Sequence, residues 1–315
     1  MSAPIFPPSD LAGWLAYVEA LHPKTIAMGL ERVMEVKRRL DLEPRFPIIT
    51  VGGTNGKGST CAMLERIYHN AGYRVGCYTS PHFLRYNERV RVACREADDA
   101  ALTAAFSAVE AARQQAPAVP LTYFEFGTLA AMWHFMQAEL DVLVLEVGLG
   151  GRLDAVNVFE PNCAIVTSVD LDHMDFLGNS RESIGYEKAG IYRSGVPAIC
   201  GDADAPASLL EHARKIGAML LRDGEDFRYE AEGETWTYHG IGQNIDNLPT
   251  PALQGDFQRH NAACVLAAVE LLQDRLPVSA PKIAAGLRDV RLAGRFQRRA
   301  SKPDVILDVA HNPQA

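Results

Sequence analysis

The sequence predicts an α/β fold, a mostly parallel sheet that contains a P-loop and carries helices on both faces. Two observations predict it. Beyond Pro47, short β-branched apolar runs alternate with segments of helical periodicity, the pattern of parallel strands joined by crossover helices. The first of these runs leads into GGTNGKGST, Gly52 to Thr60, which opens a helix, so the order is strand, glycine loop, helix.

The elements follow in order. Ser9 is placed to cap a helix in which Leu11, Trp14, Leu15, Val18 and Leu21 share one face, and a second amphipathic helix carries Leu30, Val33, Met34 and Leu40. Strands are expected at 48–51, 74–78, 142–147, 164–169 and 196–200, each apolar enough to be buried on both faces. Helices are expected at 59–71, 100–113, 126–138 and 260–272, where apolar residues recur at helical spacing. Alternating Tyr, Trp and Thr predict a hairpin at 228–240, and 305–309 reads as a last strand.

Composition excludes several classes. With 48% hydrophobic and 22% charged residues, the 315-residue chain has the balance of an ordinary globular protein. A net charge of -8 without any Lys/Arg-rich block argues against nucleic acid as a partner. The six cysteines, Cys61, Cys77, Cys94, Cys163, Cys200 and Cys264, form no C-x-x-C pair and read as reduced thiols of a cytoplasmic protein. No signal-like or membrane-spanning run is visible.

The glycine loop carries the clearest chemistry. Glycines let the backbone curl until several N–H groups converge on an anion, the helix N-terminus adds partial positive charge, and Lys57 adds a full one. Gly58 between Lys57 and Ser59 departs from the general G-x-x-x-x-G-K-[ST] pattern, and a plain tight turn is the alternative reading. Glu146 ends the apolar run VLVLE, which puts a carboxylate at the carboxyl edge of the sheet, where open α/β folds bind ligands.

This loop resembles that of the Mur ligase superfamily, and within it the dihydrofolate synthase/folylpolyglutamate synthase family of the bifunctional bacterial type. TSPH at 79–82, TYFEFGTLAA at 122–131, EVGLGGRLDAVN at 146–157, LDH at 171–173, EKAGI at 187–191, GRFQ at 294–297 and DVAHNP at 308–313 are similar to that family in order and spacing. Val156 departs from it, standing where Thr is common. The resemblance implies a Mur ligase central-domain fold for 1–296, preceded by a short helical preface, and a truncated Rossmann-like domain beginning at 297–315. An α/β strand normally continues into a crossover helix, so a chain ending just after AHNP is expected to break off inside that second domain.

The resemblance also implies roles. Gly53, Thr54, Asn55, Gly56, Lys57, Gly58, Ser59 and Thr60 would cradle the phosphates of ATP, with Asn261 at the adenine and Arg295, Asp308 and His311 near the ribose and phosphates. Ser80 and Glu146 would hold one Mg2+ and His173 a second, although imidazole is an unusual partner for so hard an ion. Lys188 would carry a carbamate. Lys57, His173 and Lys188 are thus the catalytic candidates. Ile26, Ala27 and Met28, Thr122, Tyr123, Phe124 and Glu125, and Leu153, Asp154 and Ala155 match segments that hold dihydropteroate. Read without the resemblance, His173 is a structural histidine, Lys188 a helix lysine and Phe124 a core aromatic.

The implied activity is ATP-dependent addition of L-glutamate to dihydropteroate and to tetrahydrofolate or other reduced folates, by a monomer without nucleic acid or membrane. An alternative is folate chain extension alone. A Mur-type cell-wall peptide ligase would place a UDP-binding domain before the glycine loop, where about fifty residues stand here, too few for a domain. A nucleotide-dependent switch without ligase activity is disfavoured by TYFEFGT.

Overall fold

The computed structural model describes residues 7–22, 24, 26–294, 297–301 and 304–308. The preface is two helices, α1 (Leu11–Leu21) and α2 (Glu31–Arg39). There follow β1 (Ile48–Gly52), α3 (Lys57–Ala71), β2 (Val75–Tyr78), β3 (Val90–Val92), β4 (Arg95–Glu96), α4 (Asp99–Arg113), α5 (Tyr123–Met136) and β5 (Val142–Glu146). Next come β6 (Cys163–Val166), α6 (Met174–Leu177), α7 (Arg181–Ala189), β7 (Pro197–Cys200), α8 (Ala207–Ile216) and β8 (Met219–Arg222). The remainder is β9 (Arg228–Glu232), β10 (Thr235–His239), β11 (Asn244–Pro249), α9 (Phe257–Leu271), α10 (Ala280–Asp289), β12 (Gln297–Ser301) and β13 (Asp304–Leu307).

Eight strands form the main sheet in the order β4-β3-β2-β5-β1-β6-β7-β8. The six from β2 to β8 run parallel, and β3 and β4 add an antiparallel edge. Register puts Val51 beside both Glu146 and Ile165, so the glycine loop emerges at the middle of the carboxyl edge.

Alternation along the strands divides the core in two. Leu143 and Leu145 face one cluster, with Trp14, Val33, Phe106, Phe126, Ile184 and Leu209 from α1, α2, α4, α5, α7 and α8. Val142 and Val144 face the other, with Met63, Val265, Ile283 and Trp236 from α3, α9, α10 and β10. The three-stranded sheet β11-β10-β9 therefore packs on the second face; it contains the expected hairpin and adds one strand to it.

The structure shifts several boundaries for identifiable reasons. Asp10, not Ser9, caps α1, accepting from Gly13 N at 2.8 Å. Met34, expected on the apolar face of α2, is exposed; Val33 is buried as expected, and Val36 is buried with it. α5 begins at Tyr123 rather than 126, because Thr122 and Glu125 form a capping box there. β6 stops at Val166, short of 169, because the following residues turn to bind the glycine loop: Thr167 Oγ1 donates to Asn55 O at 2.6 Å and Ser168 O accepts from Thr54 N at 2.8 Å. Helices α7, α8 and α10 and edge strands β3, β4 and β8 fill stretches that periodicity had left unassigned.

Candidate active site

The loop after β1 is held open by its glycines and by its neighbours. Gly53 has φ 143° and Gly56 φ 86°, in the region that favours glycine. A Cβ on Gly53 would run into Thr167 Oγ1, and one on Gly56 into the Asn261 amide. Asn55 N donates to Ser168 Oγ at 3.0 Å, and Thr54 Oγ1 both donates to Asp170 O (3.1 Å) and accepts from Asp170 N (2.9 Å). Lys57 folds back, its Nζ donating to Gly53 O at 2.8 Å and Thr54 O at 3.0 Å. From α9, Gln258 Nε2 reaches Ser59 Oγ at 3.3 Å and its Oε1 accepts from Asn261 Nδ2 at 3.1 Å, fastening α9 to the start of α3.

The loop and the start of α3 border a cavity of about 410 Å³. Thr54, Asn55, Gly56, Lys57, Gly58, Ser59, Ser80, Glu146, Asn261 and Asp308 are on its wall. Gly53 and Thr60 are not: the first lies against Thr167, and the second is buried in α3. Arg295 and His311 lie outside the described residues. Sequence reasoning missed Thr167, Ser168, Gly201, Asp202, Asp223, Phe257 and His260, which share the wall. Most follow the ends of β6, β7 and β8, so the rule that places ligands at carboxyl ends of parallel strands was the available signal. His260 Nδ1 is 3.3 Å from Asp223 Oδ2. Burial opposes protonation of this imidazole, but the hydrogen bond and charge of Asp223 outweigh it and raise its pKa.

Glu146 is 4% exposed at the end of β5, and its Oε2 accepts from Ser80 N at 2.8 Å, which brings together the two expected magnesium ligands from adjacent strands. Among the described residues no group of three His, Cys, Asp or Glu side chains could hold a metal by itself. The donor set of one carboxylate and one hydroxyl nevertheless fits Mg2+, which keeps several waters and takes further oxygens from phosphate. His173 is not on the cavity wall; it is half exposed, at φ 48°, before the short α6. Lys188 is 4% exposed in α7. Burial, then the charge of Lys57, lowers its amine to about 7 against the pull of Asp172.

Of the expected pterin segments, those at 26–28 and 122–125 are joined through Arg32. Arg32 of α2 donates to Ala27 O at 2.6 Å and, through Nε and Nη2, to both oxygens of Glu125 at 3.2 and 2.7 Å. The Glu125 carboxylate is thus already engaged, with Thr122 N at 2.8 Å as a further donor, and Thr122 caps the same helix. Ile26 is exposed and Met28 half-buried. Phe124 packs on Gly148, where a Cβ would come within 2.6 Å of the ring, and lies 6.1 Å from the Tyr78 ring. Tyr123 stands 6.1 Å from Tyr86. Asp154 is buried between Leu153 and Ala155, accepting from Leu149 N at 2.8 Å and Val156 N at 3.0 Å; burial raises its carboxyl to about 6 in spite of those donors.

A glycine loop between a central parallel strand and a helix, with a carboxylate and a hydroxyl beside it, is a site for nucleotide phosphates and a divalent ion, and the match of the Mur ligase middle domain family to residues 51–269 makes the chain an ATP-dependent ligase of the Mur type. The chain is 50% identical over 308 residues to the dihydrofolate synthase/folylpolyglutamate synthase of Escherichia coli K12, covering 98% of this chain and 71% of that protein. The E. coli FolC structure in complex with DHPP and ADP superposes with a TM-score of 0.92 at 49% identity, over 97% of this chain and 72% of that one. A bifunctional folylpolyglutamate synthase/dihydrofolate synthase with Mn, AMPPNP and L-glutamate bound gives 0.89 at 46%, with the same shares of 97% and 72%. The chain belongs to the dihydrofolate synthase/folylpolyglutamate synthase family of the Mur ligase superfamily. It spans about seven-tenths of the length of these relatives. No helix among the described residues is long and apolar enough to cross a membrane.

Proposed function

We propose that the chain binds ATP in the cavity above β1 and a pterin-bearing acid beside β2 and β5, and joins L-glutamate to the acid's carboxylate. The observation that carries this reading is the order of groups along one sheet edge: the nucleotide cavity at β1, β6, β7 and β8, the Ser80–Glu146 pair at β2 and β5, and Tyr123, Phe124 and Asp154 around Tyr78 at the end of β2. A relative's complex with DHPP and ADP, and another with AMPPNP and L-glutamate, support it.

A carboxylate resists attack by an amine because oxide is a poor leaving group. Transfer of the γ-phosphoryl group to a carboxylate oxygen, with ADP leaving, yields an acyl phosphate; the glutamate nitrogen then attacks the carbonyl carbon and phosphate departs. Lys57 and the N–H groups of 54–59 would hold the phosphates in line with the acid, so the protein's contribution is positioning and fixed charge. Mg2+ on Ser80 and Glu146 would supply further charge compensation. A second ion near His173 and a carbamate on Lys188 complete the reading. What supports the carbamate is the burial of Lys188 and its lowered pKa, since a neutral amine is the form that adds carbon dioxide. The protein is read as a cytoplasmic monomer.

The test is ADP release by the full-length protein with ATP and magnesium, with dihydropteroate and glutamate added together or singly. Release that requires both, with dihydrofolate formed and lost in Lys57→Ala, is the expected result; release indifferent to dihydropteroate would refute the reading.

A further inference from the structure

Arg89 lies immediately before β3, whose pairing sets Val90 beside Tyr78, and its carbonyl accepts from Thr79 N at 2.9 Å. Along the carboxyl edge of the sheet the side chains of the nucleotide cavity run from Asp223 after β8 to Ser80 after β2, and Arg89, just before β3, lies off the cavity wall. Its guanidinium carbon sits 5.5 Å from the centroid of Tyr86 and 5.7 Å from that of Tyr123. Nε donates to His82 Nδ1 at 2.8 Å, which fixes the plane of the fork.

The terminal nitrogens are the informative part. Among the described residues no carboxylate comes within 4.0 Å of the Arg89 nitrogens. Neighbouring Glu88 is turned away, its two oxygens accepting from Phe83 N (2.6 Å), Leu84 N (2.7 Å) and Arg85 N (2.7 Å). Arg32, Arg91 and Arg113 are by contrast each paired with a carboxylate, of Glu125, Glu65 and Glu110 in turn. A guanidinium stacked on aromatic rings, oriented by one hydrogen bond and left without a carboxylate, is prepared for a planar anion that arrives from outside.

Tyr123 belongs to the segment read as facing the pterin, and Tyr78, whose hydroxyl feels the charges of both Arg89 and Asp154, connects that segment to the loop at 153–155. Arg89 is fastened to both sides of Ser80, through Thr79 N and His82 Nδ1, and Ser80 N in turn donates to Glu146. We propose that Arg89 takes the carboxylate of the acid substrate as a bidentate partner and orients it toward the phosphate loop, with His82 as the positioning residue that holds the fork. This rests on the ligase reading above, and it assigns the acid group rather than the pterin.

The experiment compares dihydropteroate with its carboxamide, titrated calorimetrically into the protein saturated with ADP and magnesium. Exchanging a charge-assisted pair for a neutral one should cost the wild type about ten- to a hundredfold in affinity. In Arg89→Gln that preference should shrink to about twofold or less, with ADP affinity unchanged as the sign of an intact fold. Arg89→Lys keeps the charge but not the fork and should retain only part of the preference. An Arg89→Gln protein that still binds ADP and prefers the carboxylate as the wild type does would overturn the proposal. Should Arg89→Gln fail to bind ADP, a wild-type preference in Arg89→Lys would overturn it equally. A wild type that binds neither compound removes the ligase reading itself, and this proposal with it, whereas a wild-type preference preserved in both variants sinks Arg89 alone.

Discussion

Glu146 combines two tasks that a single substitution can separate. Its Oε2 accepts from Ser80 N and so fixes the loop after β2, while its charge is what a divalent ion would use. Glu146→Gln keeps an oxygen for Ser80 and removes the charge, so ADP should bind as in the wild type without magnesium, and the gain on adding magnesium should fall at least about tenfold. Titrations of ADP at stepped magnesium concentrations read this, and superimposable curves for the two proteins would count against the metal role. Lys188 offers a test by pH. Its amine titrates at about 7 in the folded chain and near 10.5 unfolded, so between those values unfolding takes up a proton and stability rises with pH; below 7 both states are protonated and the burial penalty is complete. In bicarbonate-free buffer the urea midpoint should therefore climb from pH 7 to 9 by a margin that Lys188→Met abolishes. Bicarbonate should raise the midpoint of the wild type and not of the variant; equal responses would argue against a carbamate.

The loop after β5 and helix α7 are interlocked through backbone. Arg152 N donates to Glu187 O at 2.8 Å, Asn157 Nδ2 donates to Arg152 O and Gly190 O at 3.0 Å each, and Arg152 pairs with Glu187 at 2.8 Å. Gly151 permits the contact, since a Cβ there would stand 2.8 Å from Glu187 O and 3.0 Å from Lys188 O, carbonyls that cannot swing away as a side chain could. This ties the loop that carries Asp154 to the helix that carries Lys188. Gly151→Ala should lower stability by about 1–3 kcal/mol and weaken dihydropteroate binding more than ADP binding, because the glycine loop is braced by β6 instead. Urea melts and paired titrations check it; an unchanged melt would mean that the loop is free of the helix. The purpose of Gly151 could not be read from GLGGR alone, as the carbonyls that crowd it lie some 35 residues downstream in α7 and are brought there only by tertiary packing.

Across the whole molecule, α1 and α2 are not an appendage. Trp14 is fully buried, with the Phe106 ring 6.2 Å away edge-on and the Phe126 ring at 6.5 Å, and Arg39 of α2 donates to the carbonyls of Ala112, Gln115 and Pro117 at the end of α4. Trp14→Ala should cost about 3–5 kcal/mol and lower the midpoint of the main unfolding transition, as judged by circular dichroism in urea. Loss of only a little helix at low urea, with the main transition in place, would show the preface to be separate.

What the sequence by itself determined was whatever is encoded locally: the parallel strands, from runs such as VLVLE; the phosphate loop, from its glycines and Lys57; and Glu146 at a strand end. Motif order pointed to the family. Only the tertiary structure decided which groups meet. It brought Asp223 and His260 to the cavity wall, left His173 half exposed off it, engaged Glu125 with Arg32, and set Arg89 over two tyrosines. The reason is physical. Periodicity and turn chemistry act over a few residues, whereas a site at the edge of a parallel sheet is assembled by strand order, which places side by side residues far apart in the chain.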